Sequence, residues 1–305
     1  MIKKIEHIII FIFLITFTLI TLFPILNVIS ISLRTDNAFQ SNSLSIITKS
    51  EPFQDLNNNN KFDKGEPYED INKNFKYDQG SSLISYKKLF TETKFLTWLK
   101  NSILISTITT IFGVILASFG GYALSRSKFI IKSKVMLGLL ITQMFPATML
   151  LLPFFIILSK INLINSYLGL IIIYSSTALP FCLWQMKGFY DTIPYSIEES
   201  AILDGCSKWL IFYKIIIPLS YPALVITALF SFMASWSEYI IAAIILQDPN
   251  YYTLPLGLKM FQSSLSTQWG LYAAGAIIVS IPVIIIFITL SKYLVSGLTL
   301  GSVKE

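Results

Sequence analysis

Oxygen-bearing side chains recur at alternate positions of a polar segment, and this spacing is typical of calcium ligands. The segment is a tandem repeat in which FQDLNNNNKFDKGEP (53–67) is followed directly by YEDINKNFKYDQGSS (68–82). An EF-hand-type loop takes ligands from positions 1, 3, 5, 7, 9 and 12, with position 7 supplying a backbone carbonyl. The first repeat fills these positions with Asp55, Asn57, Asn59, Lys61, Asp63 and Glu66. This spacing predicts a calcium site that orders the loop.

The second repeat is a weaker match to the same pattern. It retains four oxygen-bearing residues in step with the first repeat: Asp70, Asn72, Asn74 and Asp78. Ser81, however, replaces the closing glutamate, and Phe75 stands at the turn position. An Asn-rich solvated loop of low complexity is the alternative explanation. The aromatic residues also recur in register, which argues against pure drift in composition.

No residue set for covalent catalysis is found in this sequence. Its single histidine, His7, lies at the edge of an apolar run, where an anchoring role is typical. Cys182 and Cys206 have neither a disulfide-like placement nor Cys/His metal spacing. No P-loop or paired-His motif is present. We therefore expect a chain that is not an enzyme and that binds no cofactor except calcium. The scattered basic residues do not indicate a nucleic-acid surface.

A second informative segment, residues 198–218 (EESAILDGCSKWLIFYKIIIP), places ordered charges between two long apolar runs. Ser196 and Glu199 have the spacing of a capping box. Gly205 is a natural helix stop. The pattern predicts a short helix over Ile197–Asp204, followed by an apolar-aromatic run that a proline ends.

The remaining composition is that of a membrane protein. Hydrophobic residues make up 54% of the chain and charged residues only 13%, far from the balance of a soluble domain. Apolar runs of about 20 residues are long enough to span a bilayer. Six such runs are found: Ile8–Ser32, Leu99–Ser125, Val135–Ser159, Ser166–Met186, Leu219–Leu246 and Leu271–Leu294. The predicted fold class is all-α, a polytopic bundle of six transmembrane spans.

The distribution of lysine and arginine predicts the orientation. Basic residues precede the first span, fill the loops after the second and fourth spans, and follow the sixth: Lys3, Lys4, Arg126, Lys128, Lys132, Lys134, Lys187, Lys208, Lys214, Lys292 and Lys304. With six spans all these positions share one side, which is then the cytoplasm. We therefore expect a multi-pass protein of the inner (cytoplasmic) membrane with both termini and segment 198–218 in the cytoplasm.

The charged segment resembles the EAA loop of ABC importer permeases. That family has E-A-A, three residues, G, nine residues and I-x-L-P, and Glu199 to Pro218 follows it with Ser200 and Ile217 as mild departures. The resemblance to the smaller six-helix permease of maltose-type carbohydrate importers extends over residues 101–304. It is carried by Asn101-Ser102, Trp236-Ser-Glu-Tyr239, Tyr252-Thr-Leu-Pro-Leu-Gly257 and the glycine-rich C-terminal end.

The resemblance implies a type I ABC importer permease fold and import of maltose, maltodextrin or a related oligosaccharide. Its implied partners are a second permease subunit in a heterodimer, two ATPase subunits that hold ATP and magnesium, an extracytoplasmic solute-binding protein, and membrane lipid. The implied ATPase-coupling residues are Glu198, Glu199, Ser200, Ala201, Asp204, Gly205 and Pro218. Alternatives are a permease for another solute, such as a glycerol-phosphate or a polyol, and a calcium-sensing membrane protein.

Two further residue groups could handle substrate or the binding protein. A polar-aromatic stripe in span five, formed by Ser235, Trp236, Glu238 and Tyr239, could line a sugar pathway, although a seam of small residues that packs helices is the competing explanation. By resemblance, the last external loop would contact the binding protein through Tyr251, Tyr252 and Gln262, with an interfacial aromatic belt as the alternative.

These expectations divide the chain into four parts. Residues 1–33 form the N-terminal tail and first helix, and residues 34–98 form an extracytoplasmic insert that contains the repeat. Residues 99–295 form the transmembrane permease core with its cytoplasmic coupling loop at 188–218. Residues 296–305 form a cytoplasmic C-terminal tail.

Overall fold

The protein is described by a computed structural model that covers residues 2–34, 50–57, 59, 62–70, 77, 80–128, 130–262 and 267–300. These residues form helices and, apart from two isolated antiparallel bridges, no β structure. The helices are α1 (Ile2–Leu33), α2 (Ile84–Thr91), α3 (Phe95–Arg126), α4 (Lys132–Met144), α5 (Leu151–Lys160), α6 (Tyr167–Thr192), α7 (Tyr195–Leu203), α8 (Lys208–Ile211), α9 (Ile217–Leu219), α10 (Tyr221–Trp236), α11 (Ile240–Ile245), α12 (Leu254–Lys259) and α13 (Trp269–Leu300). The all-α prediction is confirmed.

Within the described residues, four helical stretches are long and apolar enough to cross a membrane: His7–Leu33, Phe95–Arg126, Tyr167–Thr192 and Trp269–Ser291. Two bent pairs pass the same test together, Lys132–Met144 with Thr148–Lys160 and Lys208–Leu219 with Tyr221–Trp236. Counting each bent pair as one span gives the six spans predicted from hydropathy. The structure thus agrees with a multi-pass protein and adds that two of these six candidate spans are bent helix pairs.

The chain divides into two compact units, residues 1–96 with 257–281 and residues 97–256 with 282–305. In the first unit, α1 and α2 meet where the hydroxyls of Ser32 and Tyr86 lie 2.9 Å apart. Gly275 gives space to the side chain of Leu258, which lies where a β-carbon would stand. Helix α13 runs to Leu300, so the start of the predicted C-terminal tail is helical.

The second unit is organised around α6, which packs against α4 and α10. Small residues set the approach of α3 to α6. A β-carbon at Gly121 would lie 2.9 Å from Cβ of Met186 and 3.0 Å from the backbone nitrogen of Lys187. Helices in membranes associate through such close backbone contacts because lipid offers no hydrophobic driving force between them.

The helix that follows the charged segment continues through Pro218 and bends by 75° at the junction of α9 and α10. The prediction that Pro218 itself interrupts the helix is therefore wrong. The bend falls at Ser220, two residues before Pro222, which lacks an N–H for the carbonyl four residues earlier and whose ring would clash with it. A π-helical turn at Phe212–Ile216 lies just upstream.

Candidate functional site

Helix α7 is the short helix predicted in the charged segment, but it starts earlier than predicted. It begins at Tyr195, directly after Pro194, and no side chain caps it. The predicted capping box of Ser196 and Glu199 is therefore wrong, because Ser196 lies inside the first turn. There its carbonyl accepts a hydrogen bond from the hydroxyl of Ser200 at 2.9 Å.

The predicted glycine stop is confirmed. Gly205 has φ +84°, a left-handed conformation that glycine adopts without steric cost. The backbone N–H groups of Gly205 and Cys206 donate to the carbonyls of Ile202 (3.0 Å) and Ala201 (2.9 Å). This pattern satisfies the last carbonyls of α7 and turns the chain sharply into α8.

Glu198 does not lie on the exposed face of α7, where an ATPase contact would need it. Its carboxylate is turned into the chain, where the hydroxyl of Tyr122 donates to Oε2 at 2.7 Å. Nε of Arg126 donates to Oε1 at 2.5 Å. This ion pair has side-chain exposures of only 10% for Arg126 and 8% for Glu198.

The guanidinium of Arg126 also holds the chain that enters α7. Nη2 donates to the carbonyl of Ile193 at 3.0 Å, and Nη1 donates to the hydroxyl of Ser125 at 3.2 Å. The guanidinium carbon lies 4.7 Å from the ring centre of Tyr195, and the hydroxyl of Tyr195 donates back to the carbonyl of Arg126 at 2.7 Å. Residues at the end of α3 therefore contact both the backbone before α7 and the side chain of Tyr195 in its first turn.

The two faces of α7 differ in character. Ala201 shares the buried face with Glu198 and belongs to an apolar cluster that includes Met186 and Tyr190 of α6. The opposite face is exposed and presents Glu199, Ser200 and Asp204. Apolar side chains extend this exposed surface, with Leu203 88% and Trp209 72% exposed. A short, anchored helix with a protruding mixed face is suited to docking against another protein.

The predicted substrate stripe lies inside the unit. Ser235 is buried, and its hydroxyl donates to the carbonyl of Ser231 at 3.0 Å. Trp236 is 1% exposed and stacks on Phe232. These contacts favour the helix-packing explanation, because both side chains are occupied within the bundle.

Glu238 occupies the gap between α10 and α11. Its carboxylate accepts the backbone N–H groups of Ile241 (3.0 Å) and Ala242 (3.2 Å), so it caps the start of α11. The hydroxyl of Tyr174 donates to the same carboxylate at 2.9 Å. Tyr239 packs against the neighbouring apolar cluster. In the described residues Glu238 thus has a structural task at a helix break.

The loop that follows α11 is tied to α3, at the start of the second unit, by Asn101. Its Nδ2 donates to the carbonyls of Asn250 and Tyr252, each at 2.9 Å, and its Oδ1 accepts from the hydroxyl of Tyr167 at 2.8 Å. The ring of Tyr251 lies 5.1 Å from that of Tyr167. The predicted binding-protein residues Tyr251 and Tyr252 are therefore partly buried in this junction.

Gln262, the third residue predicted to contact a binding protein, lies in the first unit. There its side-chain oxygen accepts from the amine of Lys259 at 2.6 Å.

Hydrogen bonds link the described residues of the first repeat to one another. Oδ2 of Asp63 accepts from the amides of Asn57 (2.6 Å) and Asn59 (2.7 Å), and Oδ1 of Asp55 accepts from their backbone N–H groups. Buried Glu66 accepts the N–H groups of Leu56 and Asp63. In the described part of the chain no three His, Cys, Asp or Glu side chains lie close enough to hold a metal ion.

The two repeats meet through their matched aromatic residues. Phe53 and Tyr68 form an antiparallel bridge. Phe62 stacks on Tyr77 with ring centres 3.9 Å apart. Asp70 is described, whereas Lys61, Asn72, Asn74 and Asp78 lie outside the described residues.

Sequence reasoning missed Tyr122 and the structural task of Arg126, which it counted only as a marker of the cytoplasmic side. Neither residue is near the charged segment in the chain, and their separation from Glu198 exceeds 70 positions. The sequence signal that pointed to a structural role was the position of Arg126, directly after the predicted span Leu99–Ser125.

Comparison with known proteins defines the family. A profile described as "Binding-protein-dependent transport system inner membrane component" matches residues 109–299. The chain is 36% identical over 221 residues to the maltodextrin transport system permease protein MalD of Streptococcus pneumoniae, which covers 72% of this chain and 79% of that protein. It is 36% identical over 223 residues to the galactooligosaccharides transport system permease protein GanQ of Bacillus subtilis, covering 72% and 79%.

The fold is also found among solved structures. A chain of a bacterial ABC transporter involved in the import of the acidic polysaccharide alginate superposes with a TM-score of 0.73, covering 95% of this chain and 97% of that chain. At 22% identity this likeness supports the fold. From the family profile and the close relatives, the chain belongs to the binding-protein-dependent transport system inner membrane components, the permease subunits of ABC importers.

Proposed function

We propose that this chain imports maltose, maltodextrin or a related oligosaccharide as one half of a translocation pathway. A second permease subunit completes the pathway, and an extracytoplasmic binding protein delivers the sugar. The sugar class is supported by relatives whose own names specify maltodextrin, maltose and galactooligosaccharides. A glycerol-phosphate or polyol remains the rival solute class.

Coupling to two ATPase subunits through α7 is the second element of the proposal. The observation that carries it is the division of α7 into an anchored face and an exposed face. Glu199, Ser200 and Asp204 offer negative charge and hydrogen-bonding groups on the exposed side, while Ala201 and Gly205 set the packing and the turn. Closure of the ATPases on bound ATP then displaces α7 and opens the pathway outward in an alternating-access cycle.

Charge reversal at the exposed face tests this coupling. Glu199→Lys should abolish ATP-driven uptake of radiolabelled maltotriose by cells that carry the whole system, while the chain still inserts in the membrane. Glu92→Lys is the matched control, because Glu92 is also exposed but follows α2. Normal uptake by Glu199→Lys would contradict the coupling assignment. Competition by a glycerol-phosphate or polyol, but not by maltose, would contradict the sugar class.

We also propose that the repeat, residues 53–82, binds calcium and that the bound ion orders the extracytoplasmic insert that contains it. Support comes from the hydrogen bonds that link Asp55, Asn57, Asn59, Asp63 and Glu66 within the first repeat and hold these oxygen-bearing side chains near one another.

Calorimetric titration of the purified full chain with calcium tests this second proposal. We expect millimolar or tighter binding, in the range of about 10⁻⁴–10⁻³ M that extracellular calcium modules show. Glu66→Gln should lose the calcium-dependent heat and Glu92→Gln should keep it. An absence of calcium-dependent heat in the unmodified chain would end the proposal, and with it a calcium-sensing role.

A further inference from the structure

We propose that the ion pair between Arg126 and Glu198 is the joint that fixes α7 to the end of α3, so that a displacement of α7 moves α3 with it. Arg126 and Glu198 are positioning residues in this proposal. The inference that α3 and α7 move together rests on contacts within this chain. The consequence for transport rests on the proposed coupling of α7 to an ATPase.

The geometry is that of a fixed joint. Both carboxylate oxygens of Glu198 are engaged, Oε1 by Arg126 and Oε2 by Tyr122. Both donors belong to the last turns of α3, one helical turn apart. A carboxylate held by two donors from one helix has little freedom to rotate, and charge-assisted hydrogen bonds are the stronger kind.

The arginine adds contacts that a point charge could not make. The same guanidinium reaches the carbonyl of Ile193 just before α7 and lies over the ring of Tyr195 in its first turn. The planar fork of arginine supports several hydrogen bonds and ring stacking at once, whereas lysine offers a compact charge on a flexible stem. Arg126 thus fixes both the position and the direction with which the chain enters α7.

A second contact ties the same end of α3 to α6. The hydroxyl of Ser125 donates to Oδ1 of Asp191 at 2.6 Å, and the amine of Lys132 donates to the carbonyl of Ser125 at 2.9 Å. Asp191 also pairs with Lys187 one turn earlier in α6. The end of α3 is therefore held on two sides, by α6 through Ser125 and by α7 through Arg126 and Tyr122.

Burial of the ion pair makes its disruption costly in free energy. The pair is about nine-tenths buried, so either charge left alone would be poorly solvated. A shift of α7 relative to α3 that parted the two charges while both stayed buried would incur that penalty, which favours movement of the two elements together. Apolar contacts such as those of Ala201 resist separation too, but they lack direction and permit sliding.

Hydrogen exchange of the purified full chain tests the joint without any partner. In Glu198→Gln, backbone exchange over Tyr195–Leu203 should rise by about tenfold or more, because the buried guanidinium loses its counter-charge. Lys187→Gln is the matched control, since its ion pair lies within α6 alone, and it should leave α7 unchanged. Equal exchange over α7 in the unmodified chain and Glu198→Gln would overturn the joint.

A triple variant separates the joint from general stability. Arg126→Met with Glu198→Leu removes both charges, and Tyr122→Phe removes the hydroxyl that would otherwise lose its acceptor; such apolar replacements are close to neutral for stability in comparable buried pairs. We expect this variant to melt close to the unmodified chain but to lose about tenfold in maltotriose uptake per ATP hydrolysed by the assembled importer. Uptake per ATP equal to that of the unmodified importer would overturn the inference.

The two proposals fail in different ways. If Glu199→Lys leaves uptake intact, the ATPase coupling of α7 is wrong, while the exchange experiment still decides whether the joint exists. If Glu199→Lys abolishes uptake and Glu198→Gln leaves exchange over α7 unchanged, coupling stands and the joint is wrong.

Discussion

The contact of α3 with α6 at Gly121 permits a sharp test of how closely this bundle is packed. In Gly121→Ala the new β-carbon would lie 2.9 Å from Cβ of Met186, 3.0 Å from the backbone nitrogen of Lys187 and 3.3 Å from the carbonyl carbon of Met186. Optimal carbon–carbon separations are about 3.5–4.0 Å. Backbone atoms cannot rotate away as a side chain can, so the two helices would have to move apart by several tenths of an ångström.

The expected cost of this overpacking is about 1–3 kcal/mol. Against it stands the gain from replacing glycine by alanine inside a helix, roughly 0.5–1 kcal/mol. Gly188→Ala is the matched control because Gly188 lies on α6, and a β-carbon there meets nothing within 4 Å. The propensity gain is common to both variants, so their difference of about 1–3 kcal/mol isolates the steric term.

Thermal unfolding of the full chain in detergent, followed by tryptophan fluorescence, measures this difference. Gly121→Ala should melt below the unmodified chain or close to it, and Gly188→Ala should melt above both. A difference of 1 kcal/mol corresponds to about 2–4 °C for chains of 150–250 residues. Equal melting temperatures of the two alanine variants would refute the close approach of α3 to α6.

Three further predictions concern single side chains. Asn101→Ala should lower the free energy of unfolding by about 2–4 kcal/mol, since it removes three hydrogen bonds made by a buried side chain; a change below about 0.5 kcal/mol in a denaturant titration would contradict this. Glu238→Ala should cost about 1 kcal/mol through loss of the α11 cap, and Glu238→Gln less, because its amide oxygen still accepts; a transport defect in Glu238→Gln at unchanged melting temperature would instead indicate contact with substrate. A membrane-impermeant maleimide should label half-buried Cys206 in inside-out vesicles but not in intact cells, and should spare buried Cys182 in both; labelling of Cys206 in intact cells would reverse the predicted orientation.

The sequence predicted the broad architecture well because its signals are local. Apolar runs of span length, a glycine after Asp204 and a basic bias in short loops each depend on a few neighbouring residues. The first two are confirmed by the helices and by the positive φ of Gly205. The orientation that the basic bias implies remains a prediction.

Local sequence patterns were less reliable where contacts with residues elsewhere in the chain affect the start or the bend of a helix. The box formed by Ser196 and Glu199 fits the capping rule, yet the helix starts at Tyr195, whose ring and hydroxyl are held by Arg126. Likewise, Pro218 is a helix breaker by rule, but the bend falls at Ser220, two residues before Pro222 in the first turn of α10. In both cases a tertiary or downstream constraint outweighs the nearest local signal.

By itself, then, the sequence determined that this is a helical membrane protein with a short, glycine-ended helix in its charged loop, and its residues carry the resemblance to importer permeases. Only the tertiary structure decided that adjacent glutamates have opposite surroundings, with Glu198 paired to Arg126 inside the chain and Glu199 facing outward. The physical reason is that a buried carboxylate must be paired or hydrogen-bonded, and here its partners, Arg126 and Tyr122, come from a helix more than 70 residues away in the chain.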